Sequence, residues 1–360
     1  MTSLLIATLA FTATSLVLQF LIRMAPALGL MDHPGGRKNH VGKTPVVGGL
    51  SIAVVFIAAL PLLATQTWVV MALAISMLLV VGVLDDIHDL SPPPKFLVQA
   101  CATLAMFHLA DVKLMTVGNL IGTGPIGMWL FAPAISAFAV IGVINAINMA
   151  DSIDGHAGFI SLIAFLAYAY VARESALWDQ YRMLLVLAGA VAAFLALNLR
   201  SPWLKQARTF LGDSGSMVMG FLIATFAIDL SHGAGRSFSP ICALWVIVIP
   251  LCDCVSLMIR RKLAGRSMFA ADRFHLHHFL LERGFSVGQA TMVSASANGV
   301  CAAIGVLGWK MNIPEPAMFA GFVALFIGYH WYMSRVFHAS QETGPLVKAK
   351  QSPQLHDNAV

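Results

Sequence analysis

Residues 68–89 read WVVMALAISMLLVVGVLDDIHD. From Trp68 to Leu84 no residue carries a charge, and the run then stops on the adjacent pair Asp85 and Asp86, with Asp89 close behind. At 1.5 Å per residue, a helix of this kind comes close to crossing the roughly 30 Å hydrocarbon core of a bilayer. Neighbouring carboxylates repel one another. A pair of them at the end of an apolar span is therefore either a plain boundary charge or a place where a cation or a proton is shared.

The same pattern repeats in both directions. Apolar stretches suited to spanning fall at 3–22, 46–64, 68–84, 96–110, 129–149, 157–173, 182–199, 210–228, 239–258, 289–308 and 314–334. Composition agrees: 58% of the residues are hydrophobic and 11% charged, where a soluble domain has about 25% charged. So few charges could not cover the exterior of a soluble protein of 360 residues, which excludes that class. The expected fold is all-α: a polytopic integral membrane protein with about 11 transmembrane helices. The first stretch lacks a basic n-region and a small-residue cleavage signal, so it reads as a retained span. Residues 1–338 form one transmembrane domain and 339–360 a short disordered tail. No internal repeat supports an inverted-repeat transporter.

The basic residues test this count. With these spans, one face holds only Lys113, Arg173, Arg182, Arg236 and Lys310 of the 22 Lys and Arg residues, and the other face holds the rest. The basic face is therefore cytoplasmic, and so is the C-terminus. The net charge of +5 serves topology and anionic headgroups or phosphates, and no nucleic-acid partner is expected. The five cysteines lie in apolar stretches without a zinc spacing and read as packing residues.

The loops on the basic face, 23–45, 85–95, 150–156, 200–209 and 259–288, carry the polar chemistry. The fifth span runs into INAINMADSIDGHAG, where Asn145, Asn148, Asp151 and Asp154 recur every three residues. A regular helix could not keep all four in a narrow stripe, and Gly155 and Gly158 favour a break after Asp154. Such amides and carboxylates suit a hard cation or a polar ligand. The eighth span opens with TFLGDSGSMVMG, where Asp213 precedes an expected Ser214-Gly215-Ser216 turn open to a phosphate; the plain alternative is an aspartate helix cap. In DRFHLHH, Arg273, His275, His277 and His278 suit a clamp on a diphosphate better than a zinc site. Arg37, Lys38 and His40 in MDHPGGRKNHVGK are candidates for an anionic substrate. Asp253, inside the ninth span, needs a partner or a proton. Acidic groups ringed by basic ones at a water–lipid boundary suit metal-assisted phosphoryl transfer to a lipid. A cation-coupled transporter is the non-enzymatic alternative.

In these segments the chain resembles the polyprenyl-phosphate N-acetylhexosamine-1-phosphate transferases. The segments MDHPGGRKNHVGKTPVVGG, VLDD, NAINMADSIDG, FLGDSGS, PLCD and DRFHLHH occur in that family's order between about residue 20 and 335. The resemblance implies cytoplasmic catalytic loops in a bacterial inner membrane protein with a periplasmic N-terminus. It implies transfer of a sugar 1-phosphate from a UDP-N-acetylhexosamine to undecaprenyl phosphate, releasing UMP and starting O-antigen or a related surface polysaccharide. GlcNAc is the first choice of sugar, ahead of a 6-deoxy sugar or a phospho-MurNAc-pentapeptide. The implied cofactor is Mg²⁺, with Mn²⁺ as substitute, on Asp213 with Asp151 and Asp154. Asp85 and Asp86 lie by the lipid phosphate, with Asp85 a candidate base. The implied donor contacts are Asn145, Asn148, Asp151, Arg273 and the three histidines. Direct attack on the sugar-linked phosphorus is favoured over an aspartyl-phosphate, and a homodimer is left open. The chain departs from the family pattern at Ser152 and at His156.

Overall fold

The computed structural model describes residues 2–32, 43–63, 67–232, 238–267 and 275–342. The helices are α1 (Ser3–Leu28), α2 (Gly48–Leu63), α3 (Trp68–His88), α4 (Pro92–Leu109), α5 (Ala132–Ala150), α6 (His156–Glu174), α7 (Trp178–Asn198), α8 (Gly212–Ser231), α9 (Pro240–Trp245), α10 (Val248–Leu263), α11 (Leu276–Glu282), α12 (Val287–Lys310) and α13 (Glu315–Glu342). Among the described residues, strands are confined to the antiparallel pair β1 (Met31–Asp32) and β2 (Thr44–Pro45). By length and composition, 8 helices can cross a membrane: α1, α3, α5 with the 3-10 turn before it, α6, α7, α8, α12 and α13. Helix α2 is a shorter apolar helix. Each apolar stretch of the sequence coincides with helix, so the chain is an all-α, multi-pass membrane protein. Most of the 339–360 segment lies outside the described residues, although α13 continues to Glu342.

Helix α8 is the axis of the bundle, buried along most of its length, whereas α13 is mostly exposed. Its neighbours α2, α3 and α5 reach it backbone to backbone. A Cβ on Gly49 would stand 2.0 Å from the Gly215 Cα, one on Gly82 2.3 Å from the Ser214 Cα, and one on Gly220 2.5 Å from the Ile144 Cα. With no hydrophobic force between helices in lipid, close approach of small residues supplies the van der Waals contact that joins them. The first two contacts lie in the first turn of α8 and bring the start of α2 and the last turns of α3 to it, while the Gly220 contact with α5 lies near mid-helix. The three prolines 92–94 form the first turn of α4, where a missing N–H costs nothing.

The ninth apolar stretch, read from the sequence as one span, is broken between α9 and α10. Pro250 has no N–H to give the carbonyl of Val246, four residues earlier. Asn298 of α12 supplies the donor instead, its Nδ2 lying 2.9 Å from the Val246 oxygen, while its Oδ1 accepts from the Ile249 N–H at 3.4 Å. Irregular backbone at this depth persists only where protein satisfies it. An Asn298→Leu variant should lose about 1–3 kcal/mol of stability, seen as a lower midpoint of thermal unfolding in detergent; an unchanged midpoint would contradict this role.

Candidate active site

The site begins where α2 and α8 start side by side. The Phe210 N–H donates to the Pro45 carbonyl at 2.8 Å, and the Gly48 and Gly49 N–H groups donate to the Phe210 and Leu211 carbonyls, both at 2.9 Å. The chain then turns through Gly212 at φ +80°, a backbone region open to glycine, into α8. The first N–H groups of a helix lack partners within it. Here Asp86 of α3 provides them: its Oδ1 accepts from the Asp213 N–H at 2.7 Å and its Oδ2 from the Ser214 N–H at 3.2 Å. This corrects the expectation of an open Ser214-Gly215-Ser216 turn. Those residues form the first turn of α8, two of its N–H groups are taken, and the capping aspartate is Asp86.

Asp213 in turn is oriented by α5. Asn148 Nδ2 donates to its Oδ1 at 2.6 Å and to Ser216 Oγ at 2.8 Å. Asn145 instead donates to the Ile141 carbonyl of its own helix at 2.7 Å. Helix α5 stops at Ala150, so the three-residue recurrence is split: both asparagines lie on the helix, and Asp151 and Asp154 lie in the turn before α6. Burial, then the charges of Asp213, Asp86 and Asp154, push the Asp151 carboxyl well above its ordinary range. Asp154 is ion-paired with Arg200. Asp85 accepts from the Leu90 N–H at 2.8 Å and from Lys95 Nζ at 2.7 Å.

These groups face a cavity of about 710 Å³. Of the sequence candidates, Asp85, Asp86, Asp151, Asp154, Asp213 and His278 line it. Asp89, noted behind the acidic pair, lines it as well, as do Asp32, Asn198 and Arg200, which were not singled out from the sequence. The available signal was weak: an amide at the end of an apolar stretch and an arginine opening a loop on the basic face. The other two histidines lie behind the wall. His275 Nδ1 pairs with Asp253 Oδ2 at 2.8 Å, and Asp253 Oδ1 accepts from Tyr329 at 2.7 Å and from the Leu276 N–H at 3.3 Å. Asp253 therefore has the partners that its depth demands, and it anchors the start of α11. His277 is fully buried, stacked on His275 at 5.2 Å, and its ring nitrogens have no hydrogen-bond partner among the described residues. Burial, with His156, His278 and His275 around it, holds its pKa well below the usual value. His156 is buried too, with its ring nitrogens on the Ala150 carbonyl and Ser294 Oγ, both at 2.8 Å. Arg37, Lys38, His40 and Arg273 lie outside the described residues.

Among the described residues, no three His, Cys, Asp or Glu side chains are arranged to hold a metal by themselves. Mg²⁺ does not require that, because it is commonly bound by one or two carboxylates together with substrate phosphates. Asp151 and Asp213 fit this requirement: both face the cavity, Asp213 has one oxygen on Asn148, and the repulsion between them favours an added positive charge.

The profile of glycosyl transferase family 4 matches residues 68–231, which run from α3 through α8. Three similar proteins are named undecaprenyl-phosphate alpha-N-acetylglucosaminyl 1-phosphate transferase. That of Pasteurella multocida is 33% identical over 342 residues, 92% of this chain and 93% of the relative. That of Haemophilus influenzae is 33% identical over 337 residues, 92% and 94% of the two chains. That of Escherichia coli K12 is 30% identical over 349 residues, 92% and 91%.

The raised Asp151 pKa gives a signed expectation. A carboxyl that prefers its neutral form in the fold adds stability at low pH, and that stability is lost as pH rises through its raised folded value. In EDTA, without substrate, Asp151→Asn should therefore unfold a few degrees higher than the parent at pH 8 and show little difference at pH 4. An equal gap at both pH values would contradict the raised pKa that burial and the neighbouring aspartates give Asp151.

Proposed function

Because the chain belongs to glycosyl transferase family 4, we propose that it transfers N-acetylglucosamine 1-phosphate from UDP-GlcNAc to undecaprenyl phosphate and releases UMP. The observation that carries this reading is the convergence of aspartates from the end of α3, the turn after α5 and the start of α8 on one cavity. An undivided acidic cavity at the ends of apolar helices admits a polar nucleotide from water and a lipid phosphate from the bilayer. Eleven crossings would place this end of the bundle in the cytoplasm and the N-terminus in the periplasm of an inner membrane. The lipid product would be the first intermediate of O-antigen or a related surface polysaccharide.

Bound Mg²⁺ would neutralise phosphate oxygens and stabilise the charge that develops during transfer. Asp151 and Asp213 are the residues to hold it, with Asn148 fixing the Asp213 rotamer. Asp86 holds the Asp213 backbone in place by capping α8. Asp85 already accepts from Leu90 and Lys95. A lipid phosphate with a second pKa near 6 is largely dianionic at pH 7. Direct attack on the sugar-linked phosphorus therefore needs no proton transfer to Asp85. His278, at the cavity wall, would donate to the departing nucleotide phosphate, and the pairing of Asp253 with His275 fixes the start of its helix.

Purified protein supplied with undecaprenyl phosphate, Mg²⁺ and a panel of UDP-sugars tests the proposal by mass spectrometry of the lipid product. The expected product is undecaprenyl diphosphate GlcNAc with one UMP released per turnover. Product only from UDP-MurNAc-pentapeptide would overturn the sugar assignment, and no product from any UDP-sugar would overturn the reaction. Asp213→Asn should insert normally and lose at least about 100-fold in kcat; full turnover with the same Mg²⁺ requirement would remove Asp213 from the metal site.

A further inference from the structure

The cavity wall is unbalanced in charge. Seven aspartates line it, and Arg200 is its one permanently charged cation among the described residues. Lys95, the nearest lysine in sequence to the acidic pair, is bound to Asp85 and is not part of the wall. A nucleotide diphosphate entering this space needs fixed positive charge, and His278 is the other wall residue able to carry any.

Arg200 is also held in place. Asn198, two residues earlier, donates from Nδ2 to the Thr209 carbonyl at 2.7 Å and accepts the Gly155 N–H on Oδ1 at 2.6 Å. That one amide ties the end of α7 to the turn that carries Asp151 and Asp154. On the other side, a Cβ on Gly288 would stand 3.0 Å from the Arg200 carbonyl, so the start of α12 packs against the Arg200 backbone. Between these supports the Arg200 side chain pairs through Nε with Asp154 Oδ2 and remains 34% exposed. The Asp154 carboxylate takes the Nε edge of the guanidinium and restrains its direction. Among the described residues both Nη groups are left to donate, a geometry that suits two oxygens of a phosphate and that an ammonium cannot reproduce.

We propose that Arg200 binds the diphosphate of the donor nucleotide, with Asp154 as the residue that positions its fork. This rests on the UDP-sugar reading above. Binding of UDP-GlcNAc, UDP and uridine to purified full-length protein, measured by isothermal titration calorimetry, tests it. Arg200→Met should weaken UDP and UDP-GlcNAc by about 10- to 100-fold and leave uridine within about twofold. Arg200→Lys, which keeps the charge without the fork, should recover only part of the loss, and it carries the test should the methionine variant fail to fold. In turnover, the loss should appear in KM for UDP-GlcNAc more than in KM for the lipid. Equal weakening of uridine and UDP would mean that Arg200 reads the nucleoside and would overturn the proposal, as would parental UDP affinity in both variants. A parent protein that binds none of the three would instead overturn the donor assignment itself.

Discussion

The site depends on one carboxylate serving two helices. Asp86 ends α3, yet its two oxygens accept the first N–H groups of α8. A helix that starts beside hydrocarbon cannot leave those donors bare, and a side-chain cap contributes about 1 kcal/mol even in water. The cap needs the helices to be close, which Gly82 allows by letting α3 touch the backbone of α8 at Ser214. Once it is made, Asp213 is fixed in the first turn of α8 beside the acidic end of α3. The start of α8 and the end of α3 then lie at the same end of the bundle, as a shared reaction centre requires.

This arrangement brings negative charges together at low dielectric, and the protein offsets them only in part. The positive end of the α8 dipole faces Asp86, Lys95 takes Asp85, Asn148 takes Asp213 and Arg200 takes Asp154. Asp151, buried beside Asp213, Asp86 and Asp154, keeps a raised pKa. On the proposed reading, this leftover negative charge is what a divalent cation would neutralise. The wall therefore does two jobs with similar residues: some aspartates complete helix ends, and others remain for the ligand. The family match, which runs from α3 through α8, covers the elements that make this distinction.

Much of this was legible in the chain. Long uncharged runs gave the helices, because few soluble alternatives exist for such composition, and acidic residues at their ends gave the cavity wall. What was not legible are long-range partnerships. Pro250 could suggest a kink, but nothing local shows that Asn298 replaces the lost donor. Ser214, Gly215 and Ser216 look like a turn because serine and glycine favour turns, yet α2 and α3 need small residues there in order to pack on a helix. The three histidines looked equivalent in sequence. Asp253 and the packing of α11 send His275 and His277 inward and leave His278 at the cavity. Arg200 resembled an ordinary charge at a membrane boundary until its pairing with Asp154 set it in the wall.

The central claim is that the end of α3 and the approach to α8 open on one side of the membrane. Single cysteines at His88 and at Gln206, both exposed, can be placed in a background where the exposed Cys101 is replaced by alanine. Labelling of sealed, oriented vesicles with a membrane-impermeant maleimide should then modify both positions from the same side and neither from the other. Modification from opposite sides would separate Asp86 from Asp213, and no common centre could form.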